Sequence, residues 1–174
     1  MKILIINLLL ALNINLLIAQ NTTQLPKIGS KLSKSDIPEE LEQLCLISSS
    51  DIVPCFEKTI DNVTYRIAYD WRPRNSKSFE VRYIATSDPD FKTTEGLSCG
   101  DALEISKKDI TDYEGWQIHG PITKDGWIPV IGDWFGEHSR PVFDVDKQKD
   151  LDWESLGENE KRNVKILYFI RGGG

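Results

Sequence analysis

The sequence predicts an α+β domain: a short N-terminal helix, then a mainly antiparallel sheet of five or six strands, in a single domain. Three observations lead there. An early stretch carries helix-start chemistry; the middle and end of the chain hold runs rich in β-branched and aromatic residues with near alternation of polarity; and turn residues punctuate those runs.

Taken in order, residues 1–19 read as a secretory leader: Lys2 precedes an apolar run interrupted by Asn7, Asn13 and Asn15, and Ala19 offers a small residue for cleavage. The expectation is an exported chain, secreted or periplasmic, with no stable membrane anchor once the leader is removed. Residues 20–35 are polar, contain Pro26 and Gly29, and read as a flexible lead-in; the domain spans 36–171, and residues 172–174, "GGG", a frayed tail. In "SDIPEELEQLCL", Asp36 can cap, Pro38 suits a first turn, and Glu39 and Glu40 favour the positive end of a helix dipole. A helix over 37–46 would bury Leu41, Leu44 and Cys45.

"NVTYRIAYDW" and "KSFEVRYIATS" then read as strands around the turn "RPRNSK", with Phe79, Val81 and Tyr83 on one face and Glu80 and Arg82 on the other. "GWQIHGPI" and "GWIPVIG" flank "TKDG" and predict a hairpin with Gly126 in the left-handed position. Pro129 places the second arm at a sheet edge. "DLDWESLGENEKRN" can hold a short helix, and the apolar "VKILYFIR" reads as a central strand.

Charge excludes one class of function. The chain carries 27 acidic against 21 basic residues, a net charge of −6, and no basic face for nucleic acid emerges. Three cysteines allow three single pairings; Cys45–Cys55 is the most local, and it would leave Cys99 over. Cys99 lies in "FKTTEGLSCGDALE", where two chemistries compete. A nucleophilic thiol would need His119 or His138 within reach. Helix-start chemistry explains the same letters: Gly96 and Gly100 permit sharp turns, Asp101 caps, and Glu104 completes a capping box. The second reading predicts a loop leading into a short helix.

"IATSDPDFKTTEGLSCGDALE" resembles a pattern in small secreted bacterial proteins of unknown function, in which a strand enters a Thr-Ser-x-x-x-Phe-x-Thr-x-x-Gly-x-x-x-Gly-Asp loop. The matching residues are Thr86, Ser87, Phe91, Thr94, Gly96, Gly100 and Asp101, followed by Gly115, Trp116, Gly126 and Trp127 in the hairpin. The resemblance covers about a third of the chain. It implies a shared fold and an envelope or secreted setting, and brings no catalytic residues. "KDGWIPVIGDW" is similar to the Gly-Trp strand of bacterial SH3-like modules, which bind peptides or cell-wall material.

Other constellations are weaker. Asp144, Asp146, Gln148, Asp150 and Asp152 alternate as calcium ligands do, but Lys149 and Ser155 stand where a tight-turn glycine and a bidentate carboxylate belong, so a solvated acidic loop is the alternative. No cofactor motif and no zinc spacing is present. Asn21 and Asn62 fit glycosylation acceptors if the source is eukaryotic. Trp116, His119, Trp127, Trp134 and Phe135 crowd one hairpin, and form either core or an exposed platform for a glycan or another protein's apolar anchor. The leading expectation is therefore a non-enzymatic binding domain whose partner is another secreted or envelope protein, or a glycan, met by that hairpin. The alternatives are an envelope hydrolase using His119 or His138 with Asp133, Glu137 or Cys99, and an SH3-like module.

Overall fold

A computed structural model describes residues 24–38, 43–46, 52–70, 76–113, 117–133, 157 and 159–172. Residues 1–19, expected to be a leader, together with Trp116, Trp134, Phe135, Glu137, His138, the acidic stretch 144–152 and Asn21, lie outside the described residues.

The fold is mainly β. In chain order the strands are β1 (Lys31–Ser33), β2 (Gln43–Leu46), β3 (Ile52–Ile60), β4 (Val63–Tyr69), β5 (Ser78–Thr86), β6 (Ala102–Ile105), β7 (Asp112–Tyr113), β8 (Gln117–His119), β9 (Ile128–Asp133), β10 (Arg162–Lys165) and β11 (Tyr168–Gly172). One sheet runs β2-β3-β4-β5-β11-β9-β8-β7, with β1 also on β5; β6 and β10 form a separate ribbon. All these pairings are antiparallel.

The expected N-terminal helix is corrected. Gln43–Leu46 is an edge strand on β3, and the only helical turns among the described residues are two three-residue 3-10 turns. The capping chemistry serves those turns instead. Ser33 and Asp36, like Ser106 and Asp109, form a capping box in which the aspartate accepts the serine's backbone N–H at 2.8 Å. The second half of the expected lead-in is docked as well: Gly29 donates to the Val81 carbonyl at 2.8 Å, Leu32 is buried, and Lys31 pairs with Glu80 at 2.9 Å.

β3 and β4 form the longest hairpin. Its two-residue turn, Asp61-Asn62, has φ of 49° and 67°, the left-handed pair that matches the twist of antiparallel strands. Across β4 the phase is strict: Val63, Tyr65, Ile67 and Tyr69 face one side of the sheet and Thr64, Arg66 and Ala68 the other. On β5 a bulge intervenes. Ala68 opposes Tyr83 and Tyr69 opposes Val81, so Arg82 is the extra residue. The phase slips there: Phe79 and Val81 share a face with Ile84, while Tyr83 joins Ala68, Cys55 and Tyr168 on the reverse. The expectation that Phe79, Val81 and Tyr83 share one face fails for this reason.

The first face is covered by the β5–β6 connection and the ribbon. Phe91 and Trp127 pack with Phe56, Ile67, Ile84, Ile166 and Phe169, against partly buried Leu97, Cys99 and Leu103. Each fully buried large side chain here contributes about 1.5–3 kcal/mol. The stretch expected to start a helix at Asp101 is instead β6. Asp101 does accept the Ser98 amide at 2.7 Å, but the chain then extends, since Ile105 is buried and Leu103 half-buried at a period of two. The run "VKILYFIR" divides in the same region: Val164 and Lys165 end β10 in the ribbon, and Tyr168 opens β11 between β5 and β9.

β9 also departs from expectation. It lies between β8 and β11, not at an edge, despite Pro129. The Pro129 carbonyl accepts the Gly120 amide at 2.8 Å, so the missing N–H faces Gly120, just past the end of β8. The Gly120 carbonyl takes the Thr111 hydroxyl instead, at 2.9 Å.

Candidate functional site

The β8–β9 loop, residues 120–127, forms the turn of the predicted hairpin. Gly126 has φ of 81°, in the left-handed region as predicted, and its amide closes the turn on the Thr123 carbonyl at 2.9 Å. Thr123 is the loop's internal brace. Its hydroxyl lies 2.7 Å from Asp125 Oδ1 and 2.9 Å from the Trp127 carbonyl, and accepts the Trp127 amide at 2.8 Å.

The β5–β6 connection braces the loop from outside. Asp125 Oδ2 accepts the Thr94 amide at 3.0 Å, and Glu95 Oε2 accepts the Lys124 amide at 2.9 Å. From below, Arg171 of β11 donates through Nη2 to the Asp125 carbonyl and lies over the Trp127 ring, 4.4 Å from its centroid. Burial pushes the Asp125 carboxyl upward, but hydrogen bonds from the Thr123 hydroxyl and the Thr94 amide, with the Arg171 charge, hold it below its ordinary value.

Trp127 itself faces inward. It is 4% exposed, meets Phe91 edge-on at 4.9 Å and stacks on Tyr65 at 6.2 Å. Its ring belongs to the core and is not an exposed anchor. The loop's outward apolar group is Ile122, 60% exposed, beside exposed Pro121. Sequence reasoning passed over Ile122, Thr123, Asp125 and Arg171. The one available signal was an isoleucine set between proline and threonine in a turn, where burial has no use for it.

His119 lies at the end of β8. Its Nε2 is 3.2 Å from Gln117 Oε1, and Gln117 Nε2 donates to the buried Tyr168 hydroxyl at 2.7 Å. Asp133 ends β9 opposite Gln117. Cys99 is elsewhere: its Sγ points at the Thr86 carbonyl, 3.6 Å away, and it packs with the Phe91 cluster, whereas Tyr168 belongs to the cluster on the reverse face. The sheet thus stands between Cys99 and the His119–Gln117–Tyr168 chain. Burial, then the charges of Asp88 and Asp101, push the Cys99 thiol up to about 12. The structure does not bring Cys99 and His119 together.

Cys45 and Cys55 are joined, linking edge strand β2 to β3 diagonally across the pair, with Cα atoms 5.8 Å apart. Among the described residues, no group of three or more His, Cys, Asp or Glu is arranged to hold a metal ion, and no helix is long and apolar enough to cross a membrane. Comparison of the chain with protein-family models, with characterised proteins and with solved structures finds no match.

Proposed function

We propose that this chain is an exported, non-enzymatic β-sheet domain that binds another secreted or envelope protein through the β8–β9 hairpin, with Ile122 as the apolar anchor. The observation that carries this reading is the contrast within one loop. Ile122 stands 60% exposed, while the residues after it are locked by bonds from Thr123, Thr94, Glu95 and Arg171. A loop already held in place loses little conformational freedom on association, so contact area at its tip converts efficiently into affinity. Trp116, Trp134 and Phe135 flank the hairpin in sequence and lie outside the described residues.

The export reading rests on the leader-like residues 1–19 and on the Cys45–Cys55 bridge, which persists in an oxidising compartment. The resemblance to small secreted bacterial proteins agrees with it. A hydrolase would need a thiolate or an activated histidine; Cys99 is a protonated thiol on the far side of the sheet from His119. An SH3-like module would need a small barrel, whereas β9 sits inside a nine-stranded sheet.

A photo-crosslinking residue at position 122 tests the reading in the native cells, with one at exposed Lys161 as the reference. The expected outcome is a single crosslinked protein from position 122 and none from 161. Equal crosslinking from both positions, or none from 122, overturns it.

A further inference from the structure

Where β5 leaves the sheet, a cavity of about 320 Å³ is lined by Glu57, Thr64, Arg66, Ser87, Asp88 and Pro89. The hairpin reading makes no use of it. Strand register builds it: Glu57 opposes Arg66 across β3 and β4, and Arg66 opposes the small Ala85 on β5, just before the chain turns through Ser87 and Asp88.

The charges inside are fixed in place. Arg66 Nη2 donates to Glu57 Oε1 at 2.8 Å, with the arginine side chain 18% exposed. Asp88 is positioned by backbone groups: Oδ2 accepts the Thr64 amide at 2.8 Å and Oδ1 the Asp90 amide at 3.0 Å. Thr86 reinforces this end, its hydroxyl donating to the Thr64 carbonyl at 2.8 Å and accepting the Asp88 amide at 3.2 Å. Among the described residues, Asp88 has no ion-pair partner. Among the described residues, the guanidinium in the cavity pairs with Glu57, and a second carboxylate lines the same space with no ion pair of its own, in a chain of net charge −6.

We propose that this cavity binds a small organic cation, an ammonium or guanidinium group on a short aliphatic stem such as a lysine side chain. Asp88 is the counter-ion, and the Ser87 and Thr64 hydroxyls and the second Glu57 oxygen are hydrogen-bond acceptors. The volume lies near the lower bound of small-molecule sites, about 300 Å³, which suits a head group with a few methylenes. Pro89 gives the stem an apolar wall. An anion would meet two carboxylates against one guanidinium already paired with Glu57, and a sugar would find no aromatic ring among the lining residues.

The test is a titration of the ¹⁵N-labelled protein at low salt with N-acetyl-lysine methylamide, beside its ε-acetylated neutral analogue, glucose and sodium acetate. The expected result is saturable shifts at the Thr64, Ser87 and Asp88 amides, with a Kd on the order of millimolar that weakens as salt is added. Asp88→Asn and Glu57→Gln should each weaken binding about threefold, the scale of a partly exposed ion pair. Glu57→Gln leaves the Asp88 turn intact, so the proposal does not depend on how Asp88→Asn folds. Glu160→Gln, on an exposed residue away from the cavity, should leave Kd unchanged. Shifts of equal size with the ε-acetylated analogue, a saturable response to glucose instead, or no saturable response would each overturn it.

Discussion

The Arg171 guanidinium lies 4.4 Å from the centroid of the Trp127 ring and donates from there to the Asp125 carbonyl, so one side chain ties the last strand to both the core and the β8–β9 loop. The strand is rigid because β11 sits between β5 and β9; the loop inherits that rigidity through Arg171. Replacing Arg171 with leucine keeps much of the stem packing and removes the donor and the cation. The expected cost is about 1–2 kcal/mol, read by urea unfolding, with faster hydrogen exchange at the Lys124 and Gly126 amides. Amides of β3 and β4 that open only by global unfolding should quicken by no more than the factor this cost implies.

Asp125 makes the same loop sensitive to acid. Its carboxyl titrates below its ordinary value in the folded chain, so the stability it contributes is present above pH 3.8, the ordinary value, and is lost as pH falls through the depressed folded value. Hydrogen exchange at the Thr94 amide, corrected for intrinsic rates, should accelerate below pH 3.8 in the wild type and be already fast at neutral pH in Asp125→Ala.

Cys99 supplies a prediction at the opposite extreme of pH. Its thiol is held up at about 12 against an ordinary value of 9.0, so the folded chain keeps a proton that the unfolded chain gives up. Stability from this group is complete below pH 9, declines as pH rises, and is gone above 12. Alkylation by iodoacetamide at pH 8 should be slow in the native protein and rapid in urea. Fast native alkylation at pH 8 would show an accessible thiolate and reopen the nucleophile reading.

The Cys45–Cys55 bridge spans ten positions in sequence. Closing a loop of that length restrains the unfolded chain by about 2–3 kcal/mol. The Cys45→Ala/Cys55→Ala double variant should lose that much stability, measured by urea unfolding. Because β2 lies at the sheet edge, its amides should lose exchange protection most, and the central strands by no more than the factor that global loss implies.

Gly172 is no frayed tail residue. It ends β11 opposite Tyr83 at φ of +88°, and a Cβ there would lie 2.5 Å from the Arg82 carbonyl and 2.8 Å from Ile28 Cδ1. β1 and β11 meet β5 end to end at this point, leaving no room to shift. Gly172→Ala should cost at least about 2 kcal/mol, with exchange protection lost first at Val81, whose amide bonds the Ser30 carbonyl.

The strands of the middle and end were legible because their composition and period agree: "NVTYRIAYDW" contains β4 and "KSFEVRYIATS" contains β5. The phase error at Tyr83 was not legible, since a bulge at Arg82 is set by pairing with β4 and leaves no mark on β5 alone. The helix over 37–46 and the helix start at Asp101 failed for a shared reason. Ser and Asp side chains satisfy backbone amides equally well in 3-10 turns and Asx turns, so capping chemistry alone does not separate the cases. Leu103 and Ile105 repeat every two residues, which is strand spacing. Of the candidate site, the turn at Gly126 was readable, while the inward Trp127 was not, because burial of an indole depends on what crosses it, here Phe91 and Tyr65.

The central claim is that Ile122 is an anchor for another protein. The most direct measurement compares capture of that protein by wild type and by Ile122→Asp in the native cells, with melting of both chains recorded alongside. The account predicts one stoichiometric partner with the wild type, its loss by at least about tenfold with Ile122→Asp, and melting temperatures that agree. Equal capture by a folded Ile122→Asp chain would contradict it.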